Sequence, residues 1–134
     1  MEQPKVSQFP MTESRRQVLA RFPDYAVDIN PTDQTVTVSF NGSVIVESNA
    51  ALCIQETRHA EAYYIPRDDI DMTQLIKTEL STYCPFKGHA SYWSVPDEPE
   101  LENFVWSYED PYPEVKALKN YMSFYTNKVK LDTT

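Results

Sequence analysis

The pattern that most restricts the fold lies at residues 35–48. Val36, Val38 and Phe40 alternate with Thr35, Thr37 and Ser39, Asn41-Gly42 follows, and residues 43–48 return as a second strand-like run. A period of two places one set of side chains on one face of a strand. Asn-Gly between two such runs suits a two-residue type I′ hairpin, whose central positions both need φ > 0. The hairpin must bury Val36, Val38 and Phe40, so it needs a second layer to pack against. Upstream, Tyr25, Val27 and Ile29 alternate with Ala26, Asp28 and Asn30 before the Asn30-Pro31-Thr32-Asp33 turn. Together these segments predict a β-meander.

The rest of the chain continues in short pieces. Residues 1–11 carry two prolines and no consistent period, which predicts an arm. Thr12 is the expected cap of a short helix through Arg21, with Val18 and Leu19 its apolar contribution. Residues 1–24 thus form an N-terminal arm and short helix, and residues 25–134 the domain. Strands are expected over 50–55, 61–65, 80–83, 90–95, 103–108 and 121–125, with an edge strand at 129–131. Asp71 is positioned to cap a helix over 72–77, and 114–120 forms another. Many short strands with only small helices predict a mostly β single domain, a sandwich or open barrel.

At 134 residues the chain can bury a core without cross-links. The net charge of −8 argues against a nucleic-acid backbone or an anionic membrane surface as partner. Two cysteines, Cys53 and Cys84, are too few for a disulfide framework or a four-thiolate zinc site, and predict reduced thiols in a cytoplasmic protein. No apolar run reaches membrane-spanning length, and the polar, proline-containing N-terminus does not read as a signal peptide.

Several phrases carry a family resemblance when taken in order. They are Val44-Ile45-Val46-Glu47-Ser48, Ala62-Tyr63-Tyr64-Ile65-Pro66-Arg67-Asp68-Asp69, Cys84-Pro85-Phe86-Lys87-Gly88-His89-Ala90-Ser91-Tyr92-Trp93, Val105-Trp106-Ser107-Tyr108-Glu109-Asp110-Pro111 and Met122-Ser123-Phe124-Tyr125. From about Val36 to Val129 the chain resembles the bacterial and fungal family called domain of unknown function 427, which also carries a nucleotidyltransferase-type name. The resemblance implies a β-tent fold, two antiparallel sheets meeting at an angle, similar to methionine-R-sulfoxide reductases and the thalidomide-binding domain of cereblon. Many β-tent proteins hold zinc with two Cys-x-x-Cys pairs. This chain has none, so no metal and no cofactor are expected. It also lacks the Gly-Ser and Asp-x-Asp pattern with which nucleotidyltransferases usually hold magnesium and triphosphate.

Three groups of residues could carry function. Pro85 and Gly88 bracket a tight turn that presents Cys84 and Lys87 together. Cys84 reads either as a nucleophile, with Lys87 lowering its pKa and His89 as base, or as a small buried hydrophobe at a strand end. Glu56, Arg58 and Arg67 form the second group, with Glu56 and Arg58 on one face if the strand continues. Arg67, aimed by the preceding proline, suits a carboxylate or phosphate, whereas the plainer reading is exposed ion pairs. Aromatic rings including Tyr64, Tyr92 and Trp106 read as core packing or as the lining of a concave pocket. The favoured expectation is a small-molecule binding module for a small planar or anionic ligand. Its cleft is bordered by Glu56, Tyr64, Arg67, Lys87 and Trp106, with Lys87 forming a binding wall; if Cys84 merely packs at a strand end, replacing Lys87 is instead expected to be nearly neutral for folding. The alternatives are an enzyme, either a nucleotidyltransferase or a Cys84-dependent activity, and an assembly protein pairing through a strand edge. Oligomeric state is left open.

Overall fold

A computed structural model of the protein describes residues 14–134. Strand β1 (Val27–Pro31) leads into β2 (Val36–Phe40), and Asn41-Gly42 turns β2 into β3 (Ser43–Ser48). The turn has φ of +49° at Asn41 and +76° at Gly42, as its sequence requires. Val36 and Val38 are fully buried and Phe40 packs against the core. A bulge interrupts the pairing: Val38 faces Val46 and Ser39 faces Val44, leaving Ile45 as the extra residue. Ile45 and Val46 can therefore both be buried although they are consecutive.

The expected meander stops at this hairpin. β1 does not pair with β2; it pairs antiparallel with β4 (Leu52–Glu56), setting Val27 opposite Glu56 and Pro31 opposite Leu52. The turn after Ile29 carries the chain from one sheet to the other, with the Thr32 amide bonded to the Ala51 carbonyl. A turn signal shows that the chain changes direction, not which strand it meets. β1 is also an edge strand, where a proline costs no ladder bond.

The remaining strands are β5 (Ala62–Pro66), β6 (Ile76–Cys84), β7 (Gly88–Ser94), β8 (Val105–Ser107), β9 (Tyr121–Phe124) and β10 (Lys130–Thr133). They complete two antiparallel sheets, one of seven strands in the order β1-β4-β5-β9-β8-β7-β6 and one of three in the order β10-β2-β3. The fold is thus mostly β and not closed into a barrel. Edge-to-face contacts of Phe104 with Phe40 (5.7 Å) and Phe124 (5.9 Å) join the small sheet to the large one.

Helices are shorter than expected. Asp71 does accept from the Thr73 amide, but it caps a single 3₁₀ turn, Met72–Gln74. β-branched Ile76 already opens β6, paired with Ser94. Pro113–Leu118 is 3₁₀ and kinked at Val115 rather than a continuous helix to residue 120. Helix α1 (Arg15–Arg21) is capped by Ser14, whose hydroxyl and Gln17 form a capping box. Thr12, the expected cap, lies outside the described residues, as does the arm. Val18 of α1 is fully buried in the core, so the helix packs on the domain. Among the described residues, no helix is long and apolar enough to cross a membrane.

Candidate functional site

The Pro85–Gly88 turn positions one side of the site. The Lys87 amide bonds the Cys84 carbonyl, closing the turn, and Cys84 pairs with Gly88 across it. Gly88 has φ +109°, and a Cβ there would lie 3.4 Å from the Asp110 carbonyl oxygen, because the following loop crosses closely. The Tyr112 amide then donates to the Lys87 carbonyl. Both anchors fix the lysine backbone and send its side chain inward, where it is 6% exposed.

The other side is the end of β4. Glu56 is its last residue, and its side chain is 8% exposed. Lys87 Nζ donates to Glu56 Oε1, and the Tyr25 hydroxyl donates to Oε2. On a flat sheet β4 and β7 are separated by four inter-strand steps of about 4.8 Å, or about 19 Å. The seven-stranded sheet must curl strongly to bring Glu56 to the turn before β7. Tyr25 stacks on Phe86 of that turn, with centroids 4.3 Å apart and planes 8° from parallel. Lys87 Nζ also lies 5.6 Å from the Tyr108 ring centroid.

Charge follows from this geometry. Burial alone would push the Glu56 carboxyl up, but the Lys87 charge and the hydrogen bonds from Lys87 and Tyr25 hold it below the ordinary range. Burial likewise opposes the Lys87 charge, and Glu56 more than offsets it, so the ammonium is held above its usual value. His59 Nε2 lies 3.7 Å from Glu56 Oε2. Burial outweighs that carboxylate and lowers the imidazole pKa, so near neutral pH it is a neutral neighbour rather than an ion-pair partner.

Behind the ion pair stand the rings. Trp106 Nε1 donates to the Tyr64 hydroxyl at 3.0 Å, and the two rings meet edge to face. Burial pushes the Tyr64 phenol up to about 12 and raises that of Tyr108. The Tyr92 hydroxyl bonds Thr82 Oγ1 at 3.0 Å. Tyr64, Tyr92 and Trp106 are all buried, and no buried side-chain polar atom among the described residues lacks a partner. These rings are core packing that backs the ion pair, not the wall of an open cleft.

The structure thus unites Glu56, Lys87, Cys84 and Tyr64 and sends the two arginines elsewhere. Arg58 does not share a face with Glu56, because β4 ends at Glu56 and Arg58 turns away at φ +70° to lie 4.2 Å over Phe22. Arg67 reaches Glu109 at 3.6 Å and lies 5.3 Å over Trp93, in an exposed group with Lys77. Cys84 is buried, and burial raises its thiol pKa. His89 is exposed and packs on Tyr83 at 5.0 Å. Because Tyr83 pairs with His89 and Cys84 with Gly88, the imidazole and the thiol sit on opposite faces. Tyr25 was not among the expected site residues, the alternation it begins being its only signal, and His59 stood out only as a sequence neighbour of Glu56.

Beside Glu56 an open depression of about 380 Å³ is lined by Ala26, Asp28, Gln55, Glu56, Thr57, His59 and Glu61. Among the described residues, no group of three or more His, Cys, Asp or Glu side chains is arranged to hold a metal ion. A comparison with curated proteins finds no match. Residues 28–134 match a family described as a domain of unknown function, and the chain belongs to that family, DUF427.

Proposed function

We propose that the protein is a small-molecule binding module whose ligand occupies the depression beside Glu56. The observation that carries this reading is the buried Glu56–Lys87 pair set at the edge of that concavity. A buried ion pair is a poor way to stabilise a fold, since an apolar pair of the same shape does as well or better. Held rigid next to open space, it instead gives a preorganised acceptor, which lowers the ordering cost of binding. Asp28, Glu56 and Glu61 all line the depression, and Lys87 is engaged with Glu56. This lining favours a small polar ligand with a positive charge or several hydrogen-bond donors over the anionic ligand that Lys87 suggests in sequence. A Cys84-dependent enzyme has less support, because the thiol is buried and lies across the strand from His89.

The test is a thermal-shift screen against cationic, neutral and anionic metabolites, followed by calorimetry. A ligand at a hundred times its Kd stabilises the native state by about 2.7 kcal/mol. Cationic or donor-rich compounds should raise the melting temperature, and Asp28→Lys should abolish the rise. Failure of every class, or hits that Asp28→Lys leaves intact, would refute the reading.

A further inference from the structure

We propose that Tyr25, which precedes the family-matched residues 28–134, is a positioning residue for Glu56. Its hydroxyl holds Oε2 while Lys87 holds Oε1, and its ring ties the segment before β1 to the turn that carries Lys87. The proposal rests on the reading of the depression as a binding site and deepens it.

The contacts around Tyr25 are those of a strap. The Ala26 amide donates to Thr57 Oγ1 at 2.9 Å and the Thr57 amide to the Ala26 carbonyl at 3.0 Å, clamping the neighbours of Tyr25 and Glu56 together. Phe86, on which Tyr25 stacks, also has the Arg15 guanidinium of α1 5.1 Å from its ring centroid. A carboxylate gripped at both oxygens from opposite ends cannot rotate about its terminal bond. Its remaining lone pairs then face a ligand in one orientation only, and a site held that way by supporting residues is a precise one. The groups that face Glu56 are Lys87, Tyr25 and His59, and those around Lys87 are Cys84, Tyr64 and Tyr108. Tyr25 faces Glu56 as a neutral donor, whose bond favours the ionised carboxylate without adding a charge.

Tyr25→Phe in the full chain removes that bond and keeps the stacked ring. The readout is the ¹³C signal of the Glu56 side-chain carboxyl, assigned by its loss in Glu56→Gln and followed through acid titration without any ligand. The expected result is a midpoint at higher pH in Tyr25→Phe than in the wild-type chain, with the neutral-pH spectrum otherwise native. If the chain unfolds before Glu56 titrates, the acid-unfolding midpoint becomes the readout and should also move to higher pH. An unchanged midpoint would overturn the proposal and leave Tyr25 as packing alone. Because no ligand is used, that failure is separate from a failure of the metabolite screen.

Discussion

Replacing Lys87 with methionine isolates what the buried charge does, because methionine keeps most of the side chain's length without its ammonium. Lys87 is 6% exposed and Glu56 8%, so water cannot take over when the partner is removed. Glu56 would keep the hydroxyl of Tyr25 and lose its only cationic hydrogen-bond donor among the described residues. Breaking a buried pair in this way typically costs about 3–5 kcal/mol, against about 5–15 kcal/mol for a whole domain. Urea unfolding at neutral pH should show that loss as a lower midpoint at unchanged slope. The double variant Lys87→Met with Glu56→Gln should recover part of it, since no charge is then stranded, and the cycle gives the coupling. A loss below about 1 kcal/mol, the scale of an exposed pair, would show that the site is wet and that the electrostatic argument fails. A loss of about 3–5 kcal/mol would tell against the reading in which Cys84 merely packs and replacing Lys87 is nearly neutral for folding.

Acid should weaken the protein through the same carboxyl. Glu56 is held below its ordinary 4.5, so its contribution is complete above that value and is lost as pH falls through the folded one. Glu56→Gln should therefore flatten the fall in stability below about pH 4.5, and an equally steep fall in the variant would count against the assignment. Gly42→Val tests the hairpin: a Cβ there meets nothing within 4 Å, so the cost is backbone strain at φ +76° alone. It should be about 1–2 kcal/mol by thermal or chemical unfolding, and a neutral result would mean that the turn relaxes without penalty.

The sequence was most legible where structure is local. Asn41-Gly42, the alternation before it and the Cys84–Gly88 turn all depend on neighbours in the chain, and all form as expected. The partner of β1 was not legible, because strand pairing is decided by which buried faces meet and not by the turn between them. The site was half legible for the same reason. Glu56 and Lys87 were both candidates, yet nothing in their spacing shows that a curled sheet makes them partners. The rings of Tyr64, Tyr92 and Trp106 could line a cleft or fill a core, and their burial, with polar ends satisfied by the Trp106–Tyr64 and Tyr92–Thr82 hydrogen bonds, places them in the core. Arg58 looked like a ligand residue because two-residue spacing puts it on the face of Glu56, and Arg67 because the proline before it aims the guanidinium; here Phe22 takes the first, and Trp93 and Glu109 the second.

The strand order has a consequence for how the site comes into being. Glu56 belongs to the β1-β4-β5 run and Lys87 to the β6-β7 hairpin, and the two are joined only when β9 enters between β5 and β8. Such non-local pairing places folding in the millisecond-to-second range rather than the microsecond range of helical bundles. Without β9 the sheet offers Glu56 and Lys87 no path to each other, and burying either charge alone is penalised. A fragment of the chain that ends before Tyr121 lacks β9 and is therefore expected to lack the assembled site.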